Sequence, residues 1–355
     1  MQYAQLGRTG VFVSRICLGA MTFGGAENPV TSAIGRLSQD ETDSIVGQAL
    51  DAGVNFIDTA DVYGGGASET RLGDALKGRR QDVVLATKLS ARTGPGPNHV
   101  GQSRLHIMDA LEASLRRLKT DHVDLYQIHN HDPLTPPDEV LRALDDAVRQ
   151  GKVRYIGCSN LAAWQLVKAL GLSDRGGLSR FVSIQSFYSL ACRDVEAELI
   201  PAVREEGVGL LCWSPLAGGL LSGKFDRHGA SDETSRRAQI QFPPVDEART
   251  FDIIDVLRGV ADRCGVSAAQ IALAWLLTRP GVTSVICGVK RPAQLSDNLA
   301  ALDVSLAADD LVALDEVSRP APRYPGWIQT YRADGRVPQG HSVPGPSWTL
   351  GERPL

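Results

Sequence analysis

The chain has 355 residues, 43% of them apolar, and 37 Lys and Arg against 41 Asp and Glu give a formal net charge of −4. That balance, with no basic block, argues against a nucleic-acid or anionic-membrane partner. No apolar run approaches the ~20 residues of a membrane span, and residues 1–10 lack the charged-then-apolar order of a signal peptide.

Gln2 to Ser14 alternates about Gly7-Arg8-Thr9-Gly10 and predicts a hairpin. Ile16-Cys17-Leu18 predicts the first strand of a repeating pattern, ending at Gly19. A helix follows over Gln39 to Ala52, with Ser38 as its N-cap and Gly53 as its stop. The apolar run Val54 to Ile57 ends at Asp58, and a short helix spans Glu69 to Lys77. Val83 to Ala86 leads to Lys88, followed by a loop over Ala91 to Gln102 and a helix over Ser103 to Leu118. Val123 to Ile128 ends at His129, and Pro136-Pro137 opens a helix that stops near Gly151.

The second half keeps the period. Strands over Val153 to Gly157, Phe181 to Ile184, Val208 to Cys212 and Ser284 to Cys287 end at Ser159, Gln185, Trp213 and Gly288. Eight strand–helix units therefore predict a (β/α)8 TIM barrel, the hairpin plugging its bottom and long loops covering its C-terminal mouth. The long interval between Trp213 and Gly288 must hold an insertion, and the polar stretch Lys224 to Asp246 is the candidate for a loop over the mouth. A last helix runs from Ala307 to Ser318. The expected organisation is one barrel over residues 1–319 and an irregular tail over 320–355, which either folds over the mouth or stays unstructured. The six cysteines form no C-x-x-C pair, and most lie in apolar strand-like runs, which fits a reducing cytoplasm.

All strand ends of such a barrel point to one face. Asp58, Lys88 and His129 thus meet there, and Tyr63 follows Asp58 on the adjoining loop. A free phenol titrates near ~10, too high for efficient acid–base work at neutral pH, but a nearby ammonium stabilises the phenolate. Lys88 supplies that ammonium, Asp58 its counter-charge, and His129 a second contact to a substrate oxygen. The four together form a device for protonating a carbonyl or deprotonating an alcohol. A rival reading is metal-dependent hydrolysis, because His129-Asn130-His131 has an H-x-H spacing with Asp58 and Asp61 nearby. Gly218 to Lys224 imitates a P-loop, but Phe225 stands where Ser or Thr is needed, and Gly94-Pro95-Gly96-Pro97 lacks the context of a dinucleotide turn.

At this point several stretches resemble the aldo-keto reductases, in their bacterial form. They are Gly53 to Gly64 (GVNFIDTADVYG), Leu18 to Gly24, Leu125 to His129, Gly157 to Asn160, and Trp213 to Lys224. The resemblance runs from Leu6 to Asp315 and implies a (β/α)8 barrel with reversible hydride transfer from NADP(H). It places Asp58, Tyr63, Lys88 and His129 on the family's catalytic tetrad, Tyr63 being the general acid. It also implies a nicotinamide subsite of Ser159, Asn160 and Gln185, with Trp213 as the stacking ring. Gly19, Met21, Thr22 and Asp58 fall at the cofactor end of the first two strands. Ser214, Pro215, Leu216, Gly218, Leu220 and Lys224 look like the pyrophosphate stretch. Gly288, Lys290, Arg291, Gln294 and Asn298 resemble the adenosine-phosphate site, and the two cations favour a 2′-phosphate.

The expected substrate is a small-molecule aldehyde, ketone or secondary alcohol, and aromatic walls would favour a carbonyl on a bulky apolar body. Tyr63, His129 and His131 are its expected contacts, with Trp164, Asn98 and His99 at the mouth and Tyr324, Trp327 and Trp348 as walls if the tail closes. Potassium-channel β subunits share this fold and tetrad, so a cofactor-sensing module is the other rival. The chain begins almost directly at the hairpin, without the inactivation segment expected of that class. Oligomeric state is not readable from the sequence.

Overall fold

Eight parallel strands close on themselves in the computed structural model, which describes residues 1–25, 34–227, 229–230 and 236–333. β1 (Tyr3–Gln5) and β2 (Phe12–Ser14) form the expected antiparallel hairpin. The barrel strands are β3 (Ile16–Gly19), β4 (Phe56–Asp58), β5 (Val84–Leu89), β6 (Val123–Ile128), β7 (Val153–Ser159), β8 (Phe181–Phe187) and β9 (Gly209–Trp213). A short antiparallel pair follows, β10 (Phe225–Asp226) with β11 (Gly229–Ala230), and β12 (Val282–Gly288) then closes the barrel between β9 and β3.

The helices are α1 (Gln39–Asp51), α2 (Ala67–Ala75), α3 (Arg104–Leu118), α4 (Pro137–Arg149), α5 (Ala163–Gly176), α6 (Leu199–Glu206) and α7 (Arg236–Gln239). After them come α8 (Glu247–Cys264), α9 (Ala268–Leu277), α10 (Pro292–Ala300), α11 (Ala308–Val317) and α12 (Gly326–Ala333). Their starts are locally encoded. The Ser38 side chain accepts the Glu41 N–H and Glu41 returns a bond to the Ser38 N–H, a capping box that satisfies two end donors. Pro137 opens α4, whose Val140, Leu141, Leu144 and Ala147 form one buried stripe. α2 starts two residues earlier than predicted, directly after Gly66, which holds a φ of 94°.

Period-two alternation builds the interior. Leu6 and Val13 of the hairpin share a buried cluster with Cys17, Phe56, Ala86, Leu125, Leu211 and Ile286. The hairpin therefore plugs the lower barrel. Two residues above Phe56, Ala86 and Leu125 along their strands stand Asp58, Lys88 and Gln127. An apolar lower layer thus carries a polar upper layer at the strand C-termini.

The tail departs from expectation. Three prolines at 320, 322 and 325 read as irregular chain, but α12 starts immediately after the last of them. The sequence beyond 333, Trp348 included, and parts of the 224–246 insertion lie outside the described residues. Among the described residues no single helix is long and apolar enough to cross a membrane. All six cysteines are free thiols.

Candidate active site

Asp58 ends β4 and Lys88 lies near the end of the neighbouring β5, both pointing inward. Lys88 is fully buried and Asp58 nearly so. The Lys88 ammonium donates to Asp58 Oδ1, to the Thr59 carbonyl at 2.9 Å and to the Tyr63 hydroxyl at 3.3 Å. Three partners use all three N–H donors. Burial alone would lower the Lys88 pKa, but Asp58 and Tyr63 outweigh it and hold it above the ordinary lysine value. Asp58 Oδ2 accepts from Gln127 Nε2 at 3.0 Å and Gln185 Nε2 at 2.9 Å. The carboxylate is thus bound on both oxygens, as a buried charge requires.

Tyr63 begins a 3-10 turn, Tyr63–Gly66, on the loop beyond β4. The turn needs glycine at 64, where φ is 58° and a Cβ would lie 2.3 Å from the Gly24 carbonyl oxygen. His129 follows β6, and its N–H bonds the Leu89 carbonyl at 2.9 Å. Its ring meets Tyr63 edge to face, with centroids 5.8 Å apart. Burial first and the Lys88 charge second pull the imidazole pKa down to about 3. His129 is therefore neutral across the physiological range. The structure brings all four predicted residues together.

The carboxamide side chains stand beside this group. Asn160 Nδ2 donates to the His129 carbonyl at 2.9 Å, and Asn160 Oδ1 accepts from Trp213 Nε1 at 3.0 Å. Asn160 has a φ of 55°, a left-handed conformation that Asn tolerates better than most residues. Ser159 Oγ donates to the Gln185 carbonyl at 2.9 Å. Gln185 Nε2 is directed at Asp58 and Gln127. The Trp213 ring stacks with Phe187 at 4.9 Å and with Phe242 at 5.9 Å, the latter within 6° of parallel.

After Trp213 the chain turns tightly. Ser214 has a φ of 50°, and its Oγ accepts the Gly218 N–H at 2.9 Å. Gly218 and Gly219 have φ of 72° and 102°, and a Cβ on Gly218 would sit 2.5 Å from the Phe242 carbonyl oxygen. Pro215 and Leu220 are buried and Leu216 and Lys224 half-buried, so Pro215 offers only its carbonyl and Leu216 and Leu220 only backbone groups. The insertion is strapped over this turn: Arg258 holds the Gly223 and Phe225 carbonyls, and Arg237 holds the Pro243 carbonyl and Glu247. Across the barrel seam Gly19 pairs with Gly288, Met21 is half-buried, and Thr22 Oγ1 donates to the Val289 carbonyl at 2.7 Å. Lys290 and Arg291 precede α10. The Lys290 N–H is taken by Gln294 Oε1 at 2.8 Å, and Asn298 is buried on the same helix.

The expected substrate contacts are less well supported. His131 and Trp164 are exposed, and His99 braces the loop at Gly94 and Gly96. Arg323 pairs with Asp194 on the loop after β8, while Tyr324 and Trp327 stay largely exposed. Sequence reasoning missed Gln127, although its register opposite Lys88 places it inward. It also missed Phe187 and Phe242. Among the described residues no group of three or more His, Cys, Asp or Glu has the geometry to hold a metal ion.

An eight-stranded parallel barrel with an acid, an ammonium, a phenol and an imidazole gathered at its mouth is the arrangement to be placed among known proteins. Comparison with known proteins gives the family. The model of the Aldo/keto reductase family matches residues 15–319. An uncharacterised oxidoreductase, YrpG, of Bacillus subtilis is 40% identical over 330 residues, spanning 89% of this chain and 96% of the relative. A probable voltage-gated potassium channel subunit beta of Arabidopsis thaliana is 38% identical over 94% of this chain and 100% of the relative. Versiconal hemiacetal acetate reductase of Aspergillus parasiticus is 34% identical over 92% and 99%. The chain belongs to the aldo/keto reductase family.

Proposed function

We propose that the protein is an NADP(H)-dependent oxidoreductase that interconverts a carbonyl compound and its alcohol. The observation that carries this reading is the 3.3 Å approach of the fully buried Lys88 ammonium to the Tyr63 hydroxyl, with Asp58 on the ammonium's other side.

The residues present fit a phosphorylated nicotinamide dinucleotide. The Ser214–Gly219 turn carries backbone N–H groups on residues that crowd it little, and Lys290 and Arg291 offer two cations at a helix start. Ser159, Asn160 and Gln185 would hold the carboxamide, and Trp213 would stack on the ring wherever Phe187 and Phe242 leave its face open. Gly19, Met21, Thr22, Pro215, Leu216, Leu220, Lys224, Gly288, Gln294 and Asn298 would line the rest. When bound, the nicotinamide supplies the hydride.

The chain's own residues supply the proton. Tyr63 donates its phenolic proton to the substrate oxygen as the carbon receives the hydride. Lys88 stabilises the phenolate that remains, and Asp58 keeps Lys88 charged. His129, being neutral, has one ring N–H to hold the same oxygen without competing for the proton. In the oxidative direction each step reverses.

The aromatic lining of Trp213, Phe187 and Phe242 supports an aromatic or otherwise flat carbonyl substrate, reduced in a reducing cytoplasm. A relative named as a putative aryl-alcohol dehydrogenase points the same way, and one named as a hemiacetal acetate reductase supports reduction at the carbonyl level. The test is titration with NADPH and NADH by Trp fluorescence, then cofactor consumption with a panel of aldehydes, ketones and secondary alcohols. NADPH binding with turnover supports the reading; binding of neither cofactor overturns it. The channel-subunit relatives give a second reading, a cofactor-sensing module, which binding without turnover on the panel would favour.

A further inference from the structure

Asp61 stands two residues before Tyr63 and is 2% exposed, yet neither of its carboxyl oxygens makes a well-formed hydrogen bond. Buried carboxylates are almost always paired, because an unpaired buried charge is strongly destabilising. The groups around Asp61 show why no pairing is made. Glu69 of α2 is fully buried and already holds the nearby cation: Arg117 Nε of α3 donates to Glu69 Oε2 at 2.7 Å. Thr87 of β5 donates to Glu69 Oε1 at 2.6 Å. Tyr126 of β6 faces both carboxyls and gives its hydroxyl to the Ile107 carbonyl at 3.3 Å. Lys88 is committed to Asp58, Thr59 and Tyr63. One guanidinium therefore serves two buried carboxyls. Burial first and Glu69 second push the Asp61 pKa up to about 7, against the weaker pulls of Arg117, the neighbouring Val62 N–H and Lys88.

This cluster touches the catalytic group from outside the barrel at two points. The Arg117 side chain lies on Gly66, where a Cβ would meet its Cδ at 2.9 Å, and Gly66 ends the turn that Tyr63 begins. The Asp61 N–H bonds the Lys88 carbonyl at 3.1 Å, and Thr87 directly precedes Lys88.

We propose that Asp61 is a positioning residue: its neutral form leaves Arg117 on Glu69, bracing the Tyr63 turn against Lys88, and its ionised form draws Arg117 off Glu69 and loosens that turn. This rests on the reading of Tyr63 as proton donor. The only covalent bond broken is the Asp61 O–H, whose proton goes to solvent; the Arg117–Glu69 hydrogen bond is exchanged for one to Asp61.

The test uses the full chain with nitrogen-15-labelled arginine, comparing wild type with Asp61→Asn between acidic and basic pH. The Arg117 Nε–H resonance, assigned by its loss in Arg117→Lys, should shift through one transition near neutrality in wild type and stay put in Asp61→Asn. Across that transition wild-type kcat for NADPH-dependent reduction of para-nitrobenzaldehyde should fall about 5-fold further than that of Asp61→Asn, with KM nearly unchanged and the two rates equal at acidic pH. An Arg117 resonance that does not move in wild type, or moves equally in Asp61→Asn, overturns the proposal. The carbon-13 shift of the Asp61 carboxyl in wild type needs no variant, and ionisation throughout the range would overturn it as well. If wild type reduces nothing at any pH, the reductase reading fails, and the Arg117 and Asp61 resonances still decide whether the brace responds to Asp61.

Discussion

Asp58 and Lys88 face each other across adjacent strands, with the ammonium fully buried and its partner 2% exposed. Neither charge is tolerable there without the other, so the site's electrostatics and the barrel's stability are joined at this pair. Replacing Lys88 with Met leaves Asp58 buried beside two glutamine amides alone. Lys88→Met should lose ~3–5 kcal/mol in urea unfolding as well as turnover. A variant with wild-type stability would mean that this pair does not help hold the barrel together.

His129 gives a pH prediction. Its folded pKa of about 3 lies below the unfolded value of ~6.5, so the unfolded chain binds the extra proton between them. The stabilisation is complete above the unfolded value and is lost as pH falls through that window. His129→Gln should therefore flatten part of the acid limb of a stability–pH profile while adding no inflection to kcat between pH ~5 and ~8. A wild-type kcat inflection in that range that disappears in His129→Gln would show a charged imidazole instead.

Asp61 has the opposite sign. Its folded pKa of about 7 exceeds the unfolded ~3.9, so the folded chain keeps a proton that the unfolded chain has released. Stability then declines as pH rises between those values. Asp61→Asn should match wild type near pH ~4 and exceed it by ~1–3 kcal/mol near pH ~8, measured by urea unfolding at each pH. A constant difference at both pH values would remove the linkage.

Gly218 and Gly219 separate strain from collision. Both have positive φ, but a Cβ at 219 meets nothing within 4 Å while one at 218 strikes the Phe242 carbonyl. Gly219→Ala should lose only ~1 kcal/mol, and Gly218→Ala should lose more and weaken NADPH binding by displacing the strap. Equal melting temperatures and equal NADPH dissociation constants for the two variants would contradict this packing.

Lys290 and Arg291 carry the expected preference for the 2′-phosphate. Alanine at either should raise the Kd for NADPH roughly 5- to 50-fold and leave that for NADH nearly unchanged. A parallel loss for both cofactors would place these cations elsewhere on the dinucleotide.

Much of this site was legible because it is local. Each of Asp58, Lys88 and His129 ends an apolar run, and a parallel barrel sends every such end to one face. The hairpin plug follows equally from alternation around Gly7. Gln127 was hidden within a strand, where only register against Lys88 reveals that it turns inward. Phe242 reaches Trp213 from an insertion whose path no periodicity fixes. The Asp61–Glu69–Arg117 cluster joins a loop and two helices, a contact set by packing between elements and not by spacing within one. The short helix α12 was concealed by prolines that set its start instead of forbidding it.

The most direct measurement is the behaviour of Tyr63→Phe, which removes one hydroxyl and leaves the ring in place. Para-nitrobenzaldehyde reduction and NADPH binding would be measured on the same preparation. Turnover should fall at least ~10²-fold with the NADPH dissociation constant nearly unchanged. Turnover close to wild type would contradict the assignment of Tyr63 as the proton donor, and with it the mechanism proposed for this barrel.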